Sequence, residues 1–283
     1  ILLYCFKKRV YNYIKIIISP WIALPHVTMA IGLIFLFSPS GLFFRLISPW
    51  LTEFDRPPNF FIIPDGYGFF LILGLILKEI PFFILVSLSA VQQFSARKIF
   101  DLGRSLQNSN FSSWCILIFP FIYKKIRLVV FIVIAFTASV VDMSLILAPS
   151  TPSTLAIRIL QVYQSSDNDS FFIASNLALI QLFIIIILLL FWMILERIVK
   201  HKWFFIFFMK LLSLKIYFVK NLVFAAGVIL FSLSVLGIIS SLLWGFSENW
   251  YFPSLFPNSL GVDTFMNFYN ENKFIIFISI FIS

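Results

Sequence analysis

The sequence predicts an all-α fold, a polytopic bundle of transmembrane helices, and two observations lead to that class. Apolar residues make up 61% of the 283-residue chain and charged residues only 12%, with a mean hydropathy of +1.01, which excludes a water-soluble domain. The apolar residues also lie in stretches of about 20 residues or more, the length at which a helix crosses roughly 30 Å of hydrocarbon.

Five stretches are expected to cross the membrane, and a sixth begins at Phe274. The sixth is too short to cross before the sequence stops, and the first residue is Ile1 instead of Met. We therefore expect a fragment of a longer protein, inserted through its own spans because no signal peptide is visible. The complete spans are Ile16–Phe37, Phe69–Val91, Leu128–Leu147, Phe171–Leu195 and Leu222–Trp244.

Basic residues predict the orientation of these spans. Most of the 21 Lys and Arg residues lie in three segments: before the first span, between residues 95 and 127, and directly after the fourth span. Cytoplasmic loops of membrane proteins carry such an excess, so these three segments are predicted to be cytoplasmic. The net charge of +9 is therefore assigned to membrane topology and not to nucleic-acid binding.

The sequence shows no constellation for catalysis or metal binding. His26 and His201 are far apart, and neither has thiol or carboxylate residues at ligand spacing. Cys5 and Cys115 both fall on the predicted cytoplasmic side, where thiols stay reduced. A glycine-rich phosphate loop is also absent, so no cofactor is expected and any ATP must be used by a separate subunit.

Residues 95–120, which we call the island, are a polar and basic stretch between the second and third spans. A short helix is expected first, with Ile99, Leu102 and Leu106 at the spacing of one helix face. Asn and Ser residues then favour a turn, and a second apolar segment continues until Pro120, which is expected to stop it. Charged residues occupy the remainder of the first helix, namely Arg97, Lys98, Asp101 and Arg104.

The island resembles the cytoplasmic coupling loop of permease subunits in binding-protein-dependent ABC importers. That loop consists of a Glu-Ala-Ala triplet, a glycine after three further residues, and, nine residues later, an Ile-x-Leu-Pro ending. Pro120 matches by identity, and Asp101, Leu117 and Phe119 are conservative replacements. The other aligned residues are Leu102 and Gly103 at the two alanines and Gln107 at the glycine.

The likeness extends over most of residues 19–197, in segments such as LILGLILKEIPF and SVVDMSLILAPSTPSTLA. It is closer to permeases of the MetI-like fold in which two permease halves are fused in one chain. The resemblance implies most of a first half over residues 1–197, a basic cytoplasmic linker over 198–221, and the truncated start of a second half over 222–283.

The resemblance also implies a function and partners. The chain would be a non-enzymatic, multi-pass permease of the bacterial inner membrane, moving a small solute inward by alternating access. Its partners would be a cytoplasmic ABC ATPase dimer that uses the ATP, a periplasmic or extracellular solute-binding protein, the second permease half and the lipid bilayer. The ATPase would bind the island, through Arg97, Ile99, Asp101, Leu102, Gly103, Arg104, Leu106, Gln107, Leu117 and Pro120.

Three ionisable side chains inside the predicted spans are further candidates, because a charge at the bilayer centre costs about 2.5–3.5 kcal/mol. Lys78 and Glu79 diverge by about 100° on a helix, and Pro81 removes a backbone donor, which predicts a helix break near Leu77. Asp142 is the third charge. Two interpretations remain open: these residues line a translocation pathway, or they hold neighbouring helices together.

An ion-coupled secondary transporter is the alternative function, because it would use Lys78, Glu79 and Asp142 directly, without an ATPase. The island distinguishes the two functions, since an ion-driven carrier needs no docking helix. The alternative role of the island is an interfacial helix lying on the membrane surface. Pro20 and Pro25 are expected to kink or unwind the entry of the first span.

Overall fold

A computed structural model describes residues 8–60, 62–93, 98–99, 101–102, 114–167, 169–200 and 216–282. Within these ranges the regular secondary structure is helical apart from two short strands, so the predicted all-α fold class is confirmed. The strands are β1 (Ser247–Asn249) and β2 (Ser259–Leu260), which pair antiparallel.

The helices follow the apolar stretches of the sequence. A π-helical turn, Trp114–Ile118, leads from the island directly into the fifth helix. The α-helices are α1 (Lys8–Ala23), α2 (His26–Phe37), α3 (Leu42–Ile47), α4 (Phe69–Gln92), α5 (Phe119–Ser139), α6 (Asp142–Leu147), α7 (Leu155–Tyr163), α8 (Ser170–Lys200), α9 (Ile216–Phe246) and α10 (Asp263–Ile282).

Four helical stretches in the described part of the chain are long and apolar enough to cross a membrane. Three of them coincide with the second, fourth and fifth predicted spans. The remaining stretch, His26–Ile47, combines α2 with α3 and so overlaps only the second part of the first predicted span. The four stretches are His26–Ile47, Phe69–Gln92, Ser170–Val199 and Asn221–Phe246.

Two predicted spans are divided in the structure. The first is interrupted between Ala23 and His26, because Pro25 has no backbone N–H and disfavours helical geometry in the residue before it. The third is interrupted at Val140, which has extended backbone angles. A new helix then begins at Asp142, whose carboxylate is favourable at the positive end of a helix dipole.

The main core lies where α2, α4 and α6 meet. Its buried side chains include Met29 and Leu33 from α2, Leu77 from α4, and Met143 and Leu147 from α6. Close approach of α4 to α6 depends on Gly74, since a Cβ there would lie 2.7 Å from Cε of Met143 and 2.8 Å from Cδ1 of Leu147. The division of the third span therefore contributes a short helix to the centre of the bundle.

Helix α9 packs along α2, although nearly 200 residues separate them in the sequence. Their backbones approach closely at two glycines: a Cβ on Gly32 would lie 2.9 Å from the carbonyl oxygen of Gly237. A stacked ring pair also joins α9 to α1, with 5.1 Å between the centroids of Phe231 and Trp21. Most of the predicted linker, residues 201–215, lies outside the described residues, and α8 and α9 extend into its two ends.

A carboxylate fixes the start of α4. Asp65 accepts hydrogen bonds from the backbone N–H groups of Tyr67, Phe69 and Phe70 at 3.2, 2.7 and 3.0 Å. Burial alone would raise the pKa of Asp65, but these N–H groups together outweigh it and hold the pKa below its usual value. The negative charge thus satisfies N–H groups that have no partner inside the helix.

Candidate functional site

The island is described only in part. Five of the residues predicted to bind an ATPase lie outside the described residues: Arg97, Gly103, Arg104, Leu106 and Gln107. The other five, Ile99, Asp101, Leu102, Leu117 and Pro120, are described.

The two apolar residues of the described docking face have different surroundings. Ile99 is half-buried and packs against a second core cluster, which joins the end of α4 to the start of α5. Leu102 is 64% exposed, and Asp101 is exposed beside it. The second cluster consists of Ala90, Val91, Ile118, Ile122 and Ile126. Ile99 therefore contacts the transmembrane bundle itself, and Leu102 with Asp101 provides the exposed part of the predicted face.

The predicted stop at Pro120 is wrong. Pro120 lies in the first turn of α5, which continues without interruption from the π-helical turn that contains half-buried Leu117. A proline is tolerated in the first turn of a helix because its missing N–H would have no intrahelical partner there. The second arm of the island is therefore continuous with a long helix of the bundle.

Lys78 stabilises the break between α1 and α2. Its side chain is buried, and its ammonium group donates hydrogen bonds to the carbonyl oxygens of Ile22 at 2.9 Å and Trp21 at 3.3 Å, and to that of Leu24. These carbonyls lie at the end of α1, where the break at Pro25 leaves them without helical N–H partners. A positive charge is also favourable at the negative end of a helix dipole.

Glu79 contacts the other side of the same break. Its Oε1 lies 3.6 Å from Nε2 of His26, the first residue of α2. The imidazole is further held by the ring of Phe136 on α5, with 5.1 Å between centroids. Lys78 and Glu79 are consecutive residues of α4. Lys78 therefore contacts the end of α1, and Glu79 contacts the start of α2.

The other predicted residues of the transmembrane region are placed differently. The helix break predicted near Leu77 is wrong, because α4 is continuous from Phe69 to Gln92 with Pro81 inside it. Asp142 occupies the first position of α6, and no hydrogen bond or ion pair joins it to Lys78 or Glu79 in the structure. Tertiary folding therefore brings Lys78 and Glu79 together with His26 and leaves Asp142 apart.

A polar cluster that the sequence did not indicate joins α5 to α8. We call it the α5–α8 strut, and it consists of Tyr123, Arg127, Trp192 and Glu196. Arg127 Nε lies 2.8 Å from Oε2 of Glu196 and 3.2 Å from Oε1. Tyr123 donates its hydroxyl hydrogen to the same carboxylate and accepts one from Trp192 Nε1 at 2.9 Å. Burial and hydrogen bonding to Glu196 raise the pKa of Tyr123 to about 12, so the hydroxyl remains a donor at neutral pH.

Arg45 forms a second cluster that the sequence did not indicate. The side chain is only 2% exposed, and its guanidinium donates to the carbonyl oxygens of Ser40, Trp250, Tyr251 and Ser254 over 2.8–3.1 Å. It also lies over the ring of Trp250, 4.4 Å from the centroid. The arginine therefore fixes the segment after α9 to α3. An arginine inside the apolar run LFFRLI is the sequence signal for it.

The chain is similar to the inner membrane ABC transporter permease protein YnjC of Escherichia coli (strain K12). The two sequences are 31% identical over 154 residues, which are 53% of this chain and 28% of that protein. The similarity supports a permease of the ABC type. The chain thus matches less than a third of the length of this relative. No protein-family model matches the chain, and no solved structure matches it.

Among the described residues, no group of three or more His, Cys, Asp or Glu could hold a metal ion. Lys78, Glu79 and the strut are polar groups that join helices of the bundle to one another.

Proposed function

We propose that the chain is part of the permease of an ABC importer and moves a small solute inward across the bacterial inner membrane. The observation that carries this function is the 31% identity with an inner membrane ABC transporter permease over 154 residues. Four helical stretches able to cross a membrane support the same assignment. The ATP is used by a separate pair of cytoplasmic ATPase subunits, and a solute-binding protein outside the membrane supplies the cargo.

The island is the proposed site at which the ATPase binds. Asp101 and Leu102 are exposed on its first helix, whereas Ile99 anchors that helix to the apolar cluster between α4 and α5. A short helix that is apolar and anchored on one side can seat its outer side in a groove of a partner. Movement of the partner then reaches the bundle through Ile99 and through the continuous second arm of the island.

Within the membrane, we assign Lys78 and Glu79 to the hinge between α1 and α2. Breaking a helix in the membrane exposes carbonyl groups that hydrocarbon cannot satisfy, and Lys78 satisfies those of α1. A hinge of this kind lets α2 change its angle relative to α1 without losing hydrogen bonds within either helix. Asp142, with Pro81, remains the proposed candidate for the pathway wall.

The proposed function is tested by co-purification of the full-length protein with a candidate ABC ATPase. Replacing Leu102 with Asp should reduce the amount of bound ATPase at least about fivefold, as expected when an apolar contact worth about 1 kcal/mol is lost. The control is Leu260→Asp, because Leu260 is 65% exposed and lies far from the island in sequence. If the wild-type protein binds no ATPase, or if both variants bind it equally, the proposal is overturned.

A further inference from the structure

The α5–α8 strut contains a buried charge whose surroundings are unusual for a helix that otherwise faces outward. Apolar side chains along α8 are mostly exposed, yet the carboxylate of Glu196 is 5% exposed. Its partner Arg127 is 43% exposed, so only the acidic side of the pair is enclosed. A buried carboxylate is costly unless several donors surround it, and here Arg127 and Tyr123 provide them.

The strut fixes the position of α8 along α5. Tyr123 and Arg127 are four residues apart on α5, and Trp192 and Glu196 are four residues apart on α8, so each pair lies on one helix face. Sliding α8 by one turn would separate the buried carboxylate from its donors. Apolar packing alone would not resist sliding to the same extent, because dispersion contacts have little directionality.

A second polar contact holds the other end of the same helix pair. Gln181 on α8 donates to the carbonyl oxygen of Ala138 on α5 at 3.3 Å. Along α5, Ala138 follows Tyr123, whereas along α8, Gln181 precedes Glu196 by the same number of residues. The two helices are therefore antiparallel neighbours joined by hydrogen bonds near both ends.

A different face of α5, about 100° around the helix from the strut, is in contact with the island. Ile118, Ile122 and Ile126 form the apolar cluster against the end of α4, and Ile99 of the island packs on that cluster. A displacement of the island is therefore delivered to α5 through these contacts. The strut lies beyond them, between α5 and α8.

We propose that the α5–α8 strut is a positioning device for energy coupling, which makes α8 follow α5 when a partner ATPase displaces the island. This inference rests on the proposed function, since it requires an ATPase at the island. The four residues touch neither solute nor ATP, and they act through the helices that they hold together. Loss of the strut leaves the ATPase bound but allows α5 to move without α8.

The test uses the full-length protein with its ATPase in lipid nanodiscs, after replacement of the native cysteines by serine. Spin labels are attached at Ile132→Cys on α5 and Ile187→Cys on α8, which are 57% and 62% exposed. A third site, Ile229→Cys on α9, is 59% exposed. In the wild type, Mg-ATP should change the α5–α9 distance by about 2 Å or more and leave the α5–α8 distance unchanged.

In Glu196→Gln, the α5–α8 distance should change with Mg-ATP while the ATPase remains bound within about twofold of wild type. Tyr123→Phe keeps the ion pair, and it should show a smaller change even if Glu196→Gln fails to fold. The double variant Arg127→Glu, Glu196→Arg reverses the ion pair, and its α5–α8 distance should again stay unchanged on addition of Mg-ATP. Arg197→Gln is the matched control, because Arg197 is exposed on the same turn of α8.

The outcomes separate this inference from the proposed function. A wild-type protein that binds no ATPase overturns both. If the ATPase binds but the wild-type α5–α8 distance changes on addition of Mg-ATP, only the strut is overturned. The same conclusion follows if Glu196→Gln and Tyr123→Phe respond to Mg-ATP exactly as wild type does.

Discussion

Replacement of Arg45 by Met is expected to destabilise the protein by about 3–5 kcal/mol, the range found when one partner of a buried charged cluster is removed. The guanidinium donates four hydrogen bonds to backbone carbonyls, and each hydrogen bond from a charged group contributes about 1.5–3 kcal/mol. The loss is smaller than their sum, because Met keeps apolar contact with the surrounding rings and the desolvation cost of the charge disappears. Arg45 holds two segments that are about 200 residues apart, so its loss should release the segment after α9.

Thermal unfolding in detergent, followed by tryptophan fluorescence, measures this effect directly. The ring centroids of Trp244 and Trp250, two of the seven tryptophans, lie 5.9 and 4.4 Å from the guanidinium carbon of Arg45, so part of the emission comes from the cluster. We expect the midpoint to fall by at least about 6 °C, at 2–4 °C per kcal/mol for a chain of this size. The exposed residue Arg56 provides the control variant, Arg56→Met. A midpoint within about 2 °C of wild type for Arg45→Met would refute the assignment of Arg45 as the anchor.

Three further predictions concern packing, ionisation and the helix break. Gly74→Ala should lower the free energy of unfolding by about 1–3 kcal/mol, because the added Cβ meets Met143 and Leu147. Gly227 has open space around it, so the control Gly227→Ala should be neutral or stabilising. Equal effects of the two substitutions would contradict the packing at Gly74. The phenolate absorbance of Tyr123, measured as the difference between wild type and Tyr123→Phe, should appear with a midpoint of about 12. Because the pKa of Tyr123 is raised from 10.0 in the folded protein, its stabilisation should be intact below pH 10 and lost as the pH rises toward 12. A midpoint near 10 would exclude the contact with Glu196. Lys78→Met should lower the free energy of unfolding by about 2–4 kcal/mol, because the carbonyls at the end of α1 lose their donor. Lys273 is exposed, so the control Lys273→Met should leave the stability unchanged. Similar stability of the two variants would show that Lys78 does not stabilise the helix break.

The sequence predicted helix positions best where length and hydrophobicity alone decide. The stretches around Phe69–Val91, Phe171–Leu195 and Leu222–Trp244 are nearly continuous apolar runs, and each is a long helix in the structure. Predictions were less accurate at prolines. Pro25 interrupts a helix, Pro81 lies inside one, and Pro120 lies in the first turn of one. The outcome depends on whether neighbouring groups can satisfy the freed carbonyl and on where the proline lies in the helix.

The candidate site was predicted only as individual charges. Lys78 and Glu79 stood out because charges are rare in a membrane span. Their partners could not be deduced, because Lys78 binds backbone carbonyls, which every residue has, and Glu79 faces a histidine more than 50 residues away in the sequence. The roles of Arg45 and Glu196 were missed because each lies near the end of an apolar stretch, where charges are common, and because their partners are remote in the sequence.

The sequence by itself determined that this is a helical membrane protein, which way its spans are expected to run, and that the island is its most distinctive polar segment. Composition is sufficient for the first of these, because the bilayer requires long apolar stretches, whereas the orientation stays a prediction from the basic residues of the loops. Only the tertiary structure decided that Lys78 stabilises the break before α2, that Arg45 anchors a distant loop, and that Glu196 joins α8 to α5. Such contacts depend on the mutual distance and burial of residues remote in sequence, which hydrophobic patterns do not encode.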